Sequence, residues 1–266
     1  MTENLTFVKL GGSLITDKRR RATPRRNTLR RLALELKDAL NADPTLRILL
    51  GHGSGSFGHW EAKQYNTHRG VSTPDQWHGF AQVSAAAARL DRIVVDLFLE
   101  ACVPILSLQP SATALAQAGH IVQFDDSSLR HALDHHLVPL IYGDVAFDQN
   151  WGGTILSTEA LFVHLAEALC PTRILLLGNA PGVMDNQQNL IPTITPETYP
   201  QIERHLRGSQ YTDVTGGMAD KVKQMVDLVQ ALSGLQIWIL TGQKPGNLTQ
   251  ALLHPDNTPG TRIRSI

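Results

Sequence analysis
The chain has 266 residues, 42% hydrophobic and 18% charged, with 24 basic and 24 acidic side chains and two cysteines. A net charge of zero excludes binding to nucleic acid or an anionic membrane through an overall field, so any anion site must be built locally. Cys102 and Cys170 lie in apolar contexts without C-x-x-C spacing, which excludes a disulfide framework and a cysteine zinc site and predicts two buried thiols.

Met1 to Thr6 lacks a charged start followed by an apolar signal core, and no apolar run reaches the ~18 residues of a membrane span; a soluble, cytoplasmic protein is expected. Leu5 to Val8 reads as a strand that carries Lys9 into the glycine turn Gly11-Gly12-Ser13. A lysine there either snorkels from an edge or reaches a ligand, and the glycines favour the ligand because they let a phosphate approach the backbone. Eight basic residues follow between Asp17 and Arg31. Arg30 and Arg31 already belong to an amphipathic helix over 27–41, so most of the run reads as solvated surface. Lys18, nine residues beyond Lys9 across the same turn, is the exception.

Arg47 to Leu50 reads as a second strand feeding a loop with four glycines between Gly51 and Gly58 and an imidazole at its end, His59. Gly53-Ser54-Gly55-Ser56-Phe57-Gly58 matches the dinucleotide fingerprint literally. That fingerprint opens the first βαβ unit and needs a strand with an acidic end ~20 residues on, where this chain has the polar stretch 69–76. A phosphate loop of another kind fits better, with a ligand-free turn as the bland alternative. A long helix is expected over 75–101, in which the small residues Ser84 to Ala88 permit close packing.

A strand over 103–108, a hairpin piece over 121–124, a helix over 125–135 and a buried strand from Val138 to Gly143-Asp144 come next. His131, His135 and His136 lack an accompanying carboxylate or cysteine pattern and read as surface residues. Trp151 to Thr154 reads as another glycine turn, before a helix over 157–169 with Glu159 in its first turn. A strand begins at Arg173, and 186–195 is turn-rich. Thr212 to Lys221 opens a helix that runs to Leu232, with Lys221 and the helix N-terminus able to face one anion. A strand over 235–240, a short helix over 247–253 and an extended piece over 261–263 close the chain. This alternation predicts an α/β fold, a three-layer αβα sandwich with a mainly parallel central sheet and phosphate-directed loops on one edge.

The segments Val8 to Ser13, Gly51 to Gly58, Gly143-Asp144 and Thr215 to Lys221 together resemble the amino acid kinase superfamily along nearly the full chain. Gly55 to His59 with Lys18, and the closing Gly242 to Leu248 and Gly260 to Ile263, are similar to its isopentenyl phosphate kinase branch. The resemblance implies a single domain, its acceptor-binding lobe spanning 1–170 and its ATP-binding lobe 171–266. It also implies transfer of the γ-phosphoryl group of ATP, with Mg2+, to isopentenyl phosphate or dimethylallyl phosphate, in isoprenoid biosynthesis by way of a mevalonate pathway, by a homodimer.

On the same footing Lys9 and Lys221 hold the ATP phosphates and Lys18 stabilises the transition state. Gly11, Gly12, Gly55 and Gly217 admit the nucleotide, while Ser54, His59 and Gly153 surround the acceptor phosphate. Asp144 and Glu159 are the expected organisers of the lysines. No dedicated protein-metal site is expected. Two departures stand out: Gly178 to Val183 lacks the carboxylates usual in the superfamily, and Glu159 stands where members commonly have aspartate. A related small-phosphonate kinase of fosfomycin type and a non-catalytic nucleotide sensor or storage protein are the competing readings.

Overall fold
The computed structural model describes residues 4–65, 70–207 and 217–265. Its centre is an eight-stranded sheet. In chain order, β1 (Leu5–Leu10), β2 (Arg47–His52), β3 (Ile105–Ser107), β6 (Val138–Tyr142), β9 (Arg173–Gly178), β10 (Thr193–Ile194), β11 (Gln236–Thr241) and β12 (Thr261–Arg264) lie in the order β10-β12-β11-β9-β1-β2-β6-β3. Only the β11–β12 pair is antiparallel. Parallel strands are covered on both faces, so they read as continuous apolar runs, and β1 is buried at all six positions.

The pleat sends alternate residues to opposite layers. Val8 and Leu10 join Leu29, Leu32 and Leu36 of α2 (Arg26–Ala42), Leu90 and Val94 of α4 (Pro74–Glu100) and Leu248 of α9 (Asn247–Leu253) in one core. Leu5 and Phe7 face the other, with Leu129 of α5 (Ser127–Asp134), Leu161 and Phe162 of α6 (Thr158–Leu169) and Val222 and Met225 of α8 (Met218–Ala231). The three-layer sandwich and mainly parallel sheet expected from the sequence are therefore present. The sheet runs unbroken across residue 170, since β1 pairs β2 on one side and β9 on the other.

Several elements differ from the sequence reading. The glycine segment is a loop only at Gly53-Ser54, because β2 extends to His52 and a helix, α3 (Gly55–Tyr65), starts at once. Glycine's low helix propensity hid it. The run from Val138 breaks at Gly143, where the chain leaves the main sheet for β7 (Asp144–Asp148) of a second, four-stranded sheet. That sheet, in the order β5-β4-β7-β8, also holds β4 (Ala114–Gln117), β5 (His120–Phe124) and β8 (Gly152–Leu156), so the expected turn over 151–154 is largely strand. A further helix, α7 (Tyr199–Arg207), lies before the segment 208–216, which is outside the described residues and includes the expected helix opening over 212–216.

Cys102 and Cys170 are exposed rather than buried. Each follows a helix in the left-handed region, at φ 59° and 47°, which turns the residue outward from an otherwise apolar run. His131, His135 and His136 are exposed, as expected. Among the described residues no helix is long and apolar enough to cross a membrane.

Gly51 of β2 is where α6 meets the sheet. A side chain there would stand 2.7 Å from Thr158 Cγ2 and 2.8 Å from the Phe162 ring. Gly51→Val should therefore overpack the interface and lower stability by roughly 1–3 kcal/mol, read as a lower urea midpoint at unchanged slope.

Candidate active site
The C-terminal ends of the parallel strands and the N-terminal ends of α1 (Gly12–Ile15), α3, α6 and α8 converge on a cleft of about 1080 Å³. It is lined along its length by Lys9, Lys18, His59, Glu159 and Lys221. Strand ends and helix N-termini meet at one edge because every β-α connection of a parallel sheet leaves from the same side. The exposed N–H groups of these first turns favour an anion.

At the centre is a charge cluster. Lys9 Nζ lies 2.5 Å from Glu159 Oε1, and Lys221 Nζ lies 3.3 Å from the same oxygen. Lys9 comes from the central strand, Glu159 from the second position of α6, and Lys221 from the first turn of α8. Burial alone would push the Glu159 carboxyl up, but the Lys9 and Lys221 ammonium groups outweigh it and hold it at about 2. Burial lowers Lys9 against the pull of Glu159, with Lys221 and Lys18 pushing the same way. Two cations thus share one carboxylate, with Lys18 lining the same cleft, leaving surplus positive charge that an incoming polyanion can neutralise.

Glycines 12 and 55 have a structural cause of their own. A Cβ on Gly12 would sit 2.7 Å from Gly55 N, and one on Gly55, at φ +50°, would sit 2.2 Å from Thr16 Oγ1. The two β-α turns are packed backbone against backbone, which draws Lys9 and the start of α3 together across the cleft. Gly11 and Ser54 also line the cleft, and Gly217 caps α8 with no side chain over its first N–H groups. His59 lies on the second turn of α3, not on a loop, at the same cleft.

Two expected residues fall elsewhere. Gly153 sits in β8 opposite Phe147, where a side chain would strike the Phe80 ring at 2.7 Å, and it is not among the cleft-lining residues. Its missing Cβ serves the packing of α4 on the second sheet. Asp144 is fully buried; its carboxylate accepts from Val145 N at 2.8 Å and Ser111 N at 3.3 Å, with the Ser84 hydroxyl as a further partner. No lysine is among those partners, so the contact with the lysines belongs to Glu159 and not to Asp144.

The sequence reading passed over Thr158 and Asn179. Thr158 Oγ1 donates to His52 O at 2.7 Å and so joins the start of α6 to the end of β2. Asn179, within the carboxylate-free segment, donates to Ser13 O at 3.2 Å and accepts from Gln243 Nε2 at 3.0 Å, joining the segments after β1, β9 and β11 through a neutral amide. Both are ordinary polar residues following apolar runs and carry no pattern that would mark them.

The sequence profile of the amino acid kinase family matches residues 4–241. The chain belongs to the amino acid kinase family. It is 32% identical to the isopentenyl phosphate kinase of Methanocaldococcus jannaschii, with 97% of this chain and 98% of that one covered. It is 33% identical to that of Methanothermobacter thermautotrophicus at the same coverage. A crystal structure of an isopentenyl phosphate kinase superposes with a TM-score of 0.81 at 30% identity, covering 98% of this chain and all of the other. The segments that contribute to this cleft, from Lys9 to Ser13 and from Gly53 to His59, fall within the matched stretch.

Glu159 ionises far below its ordinary 4.5 in the folded chain, so the stability it confers is complete above that value and is lost as pH falls towards 2. Glu159→Gln should cost roughly 3 kcal/mol at neutral pH. The gap between wild type and variant should close progressively below about pH 4.5, as measured by urea unfolding at stepped pH.

Proposed function
We propose that the protein transfers the γ-phosphoryl group of ATP to the phosphate of isopentenyl phosphate, giving isopentenyl diphosphate and ADP. The observation that carries this reading is the pairing of Lys9 and Lys221 on Glu159 in one cleft with Lys18 and His59. Phosphoryl transfer asks the protein for position and charge more than for covalent chemistry. Lys9 and Lys221, with the N-terminus of α8 at Gly217, hold the ATP phosphates. Lys18 meets the charge on the phosphoryl group in flight. His59 donates to the acceptor phosphate, with Ser54 beside it, and so offsets repulsion between two anions.

The acceptor brings its own nucleophilic oxygen, so no strong base is required. Beyond His59 the cleft is lined by Ala62, Val83 and Ile155, an apolar end suited to a short isoprenoid tail and poorly suited to a small polar phosphonate. Dimethylallyl phosphate fits the same description. Asp220, on the first turn of α8, also lines the cleft. Mg2+ is commonly held by substrate phosphates, water and one or two carboxylates, and Asp220 is the residue placed to share it; the ion supplies charge neutralisation. The homodimer implied by the resemblance belongs to the same proposal, as does a place in isoprenoid biosynthesis.

The test is ADP release with Mg2+-ATP against isopentenyl phosphate, dimethylallyl phosphate, fosfomycin, acetylglutamate and UMP. Turnover should be confined to the two isoprenoid monophosphates; turnover with fosfomycin alone would overturn the substrate. Lys18→Ala should lower kcat by about 10²–10³. His59→Ala should lower acceptor turnover with ATP affinity nearly unchanged, whereas Lys221→Ala should weaken ATP binding; equal ATP defects in both would refute this division of roles.

A further inference from the structure
Lys18 is exposed and sits in a turn, a poor place from which to hold an ammonium to within an ångström. The segment around it is nevertheless tied down, both within itself and to α3. Thr16 Oγ1 accepts from Ser56 N at 2.9 Å and donates to Gly12 O at 2.6 Å. Ala22 N donates to Ser56 O at 3.1 Å, and Thr23 N to Ser56 Oγ at 3.2 Å. A bridge between Thr16 and Pro24 and the bond from Asp17 N to Thr23 O close the base of the turn. At its tip the Arg21 guanidinium pairs with Glu61 Oε1.

Glu61 is the unusual member of this set. Its side chain is only 6% exposed, although it lies on a short helix at the cleft rim, and the phosphoryl chemistry gives it no task. A buried carboxylate is retained only if it is paired, and its partner here is a residue of the Lys18 turn. Ser56, His59 and Glu61 all lie on α3. The helix that carries the acceptor-side imidazole therefore also carries both anchors of the turn bearing the transition-state lysine.

We propose that Glu61 is a positioning residue for phosphoryl transfer, acting through Arg21 to hold the Lys18 turn at a set distance from His59. This rests on the role given above to Lys18. A slack turn would leave ATP binding at Lys9 and Lys221 intact while misplacing Lys18, and a misplacement near 1 Å is worth up to about 10²-fold in rate.

The experiment compares wild type, Glu61→Gln, Arg21→Ala and Lys18→Ala, each also combined with Lys18→Ala where it is not already present. Turnover of isopentenyl phosphate, the KM for ATP and trypsin cleavage after residues 18–21 are measured at equal fractional folding. Glu61→Gln and Arg21→Ala should each lower kcat about 10- to 100-fold with the KM for ATP unchanged and speed cleavage in the turn. Neither should lower kcat further once Lys18 is alanine, which a general loss of structure would not reproduce. Full kcat in Glu61→Gln, or equal losses with and without Lys18, would overturn the proposal. A wild type inactive on every acceptor would instead overturn the kinase reading, and cleavage rates would then still decide whether Glu61 holds the turn.

Discussion

The structure depends on one carboxylate shared between two ammonium groups. Glu159 lies against Lys9 and Lys221, which come from elements far from it on either side in the chain, β1 and α8. Without it, Lys9 would be a buried cation at the centre of the sheet facing a second cation, an arrangement that burial and repulsion both oppose. With it, the lysines are held at a spacing fixed by one oxygen atom. A glutamate is suited to this because its extra methylene carries the carboxylate from the first turn of α6 to a strand end.

The position of that carboxylate is a packing result. Gly51 lets Thr158 and Phe162 sit directly on β2, and Thr158 then bonds the His52 carbonyl, which sets the start of α6 and with it Glu159. The contact of Gly12 with Gly55 does the same for the two turns that flank Lys9. Glycine is used at these points for close approach of backbone to backbone. The access this gives a phosphate follows from the arrangement of turns, and is not the sole reason that the glycines are there.

Much of this was legible in the sequence where a period or a motif was strong. The helices α2, α4 and α6 and the strands β1, β2, β9 and β11 were all readable from apolar spacing, and Lys9, Lys18 and Lys221 from their place beside glycine turns. Legibility failed where glycine carried two meanings. It concealed α3 and β8, and it made Gly153, a packing position beneath Phe80, look like part of a phosphate turn. It failed too where a buried strand continued into another sheet, since Val138 to Val145 is buried at every position through the break at Gly143 and only pairing partners separate β6 from β7. Asp144 illustrates the remaining limit: a carboxylate at a strand end can face a ligand or be consumed by Ser111, Val145 and Ser84, and nothing in its neighbours along the chain distinguishes the two.

Under the proposed function, the division of the cleft follows from the chemistry of two anions. A nucleotide with several phosphates needs cations fixed before it arrives, and those come from rigid elements: a central strand and the first turn of a packed helix. The acceptor is smaller, carries less charge and brings an apolar tail, so one imidazole beside a patch of Ala62, Val83 and Ile155 meets its needs. On that reading the phosphoryl group itself passes between these halves. In the proposed mechanism Lys18 meets it from a turn, and the turn has to borrow its rigidity from a neighbouring helix. The bonds from Ser56 and the Glu61–Arg21 pair supply that connection, which makes α3 the element on which both the acceptor and the transferred group are aligned.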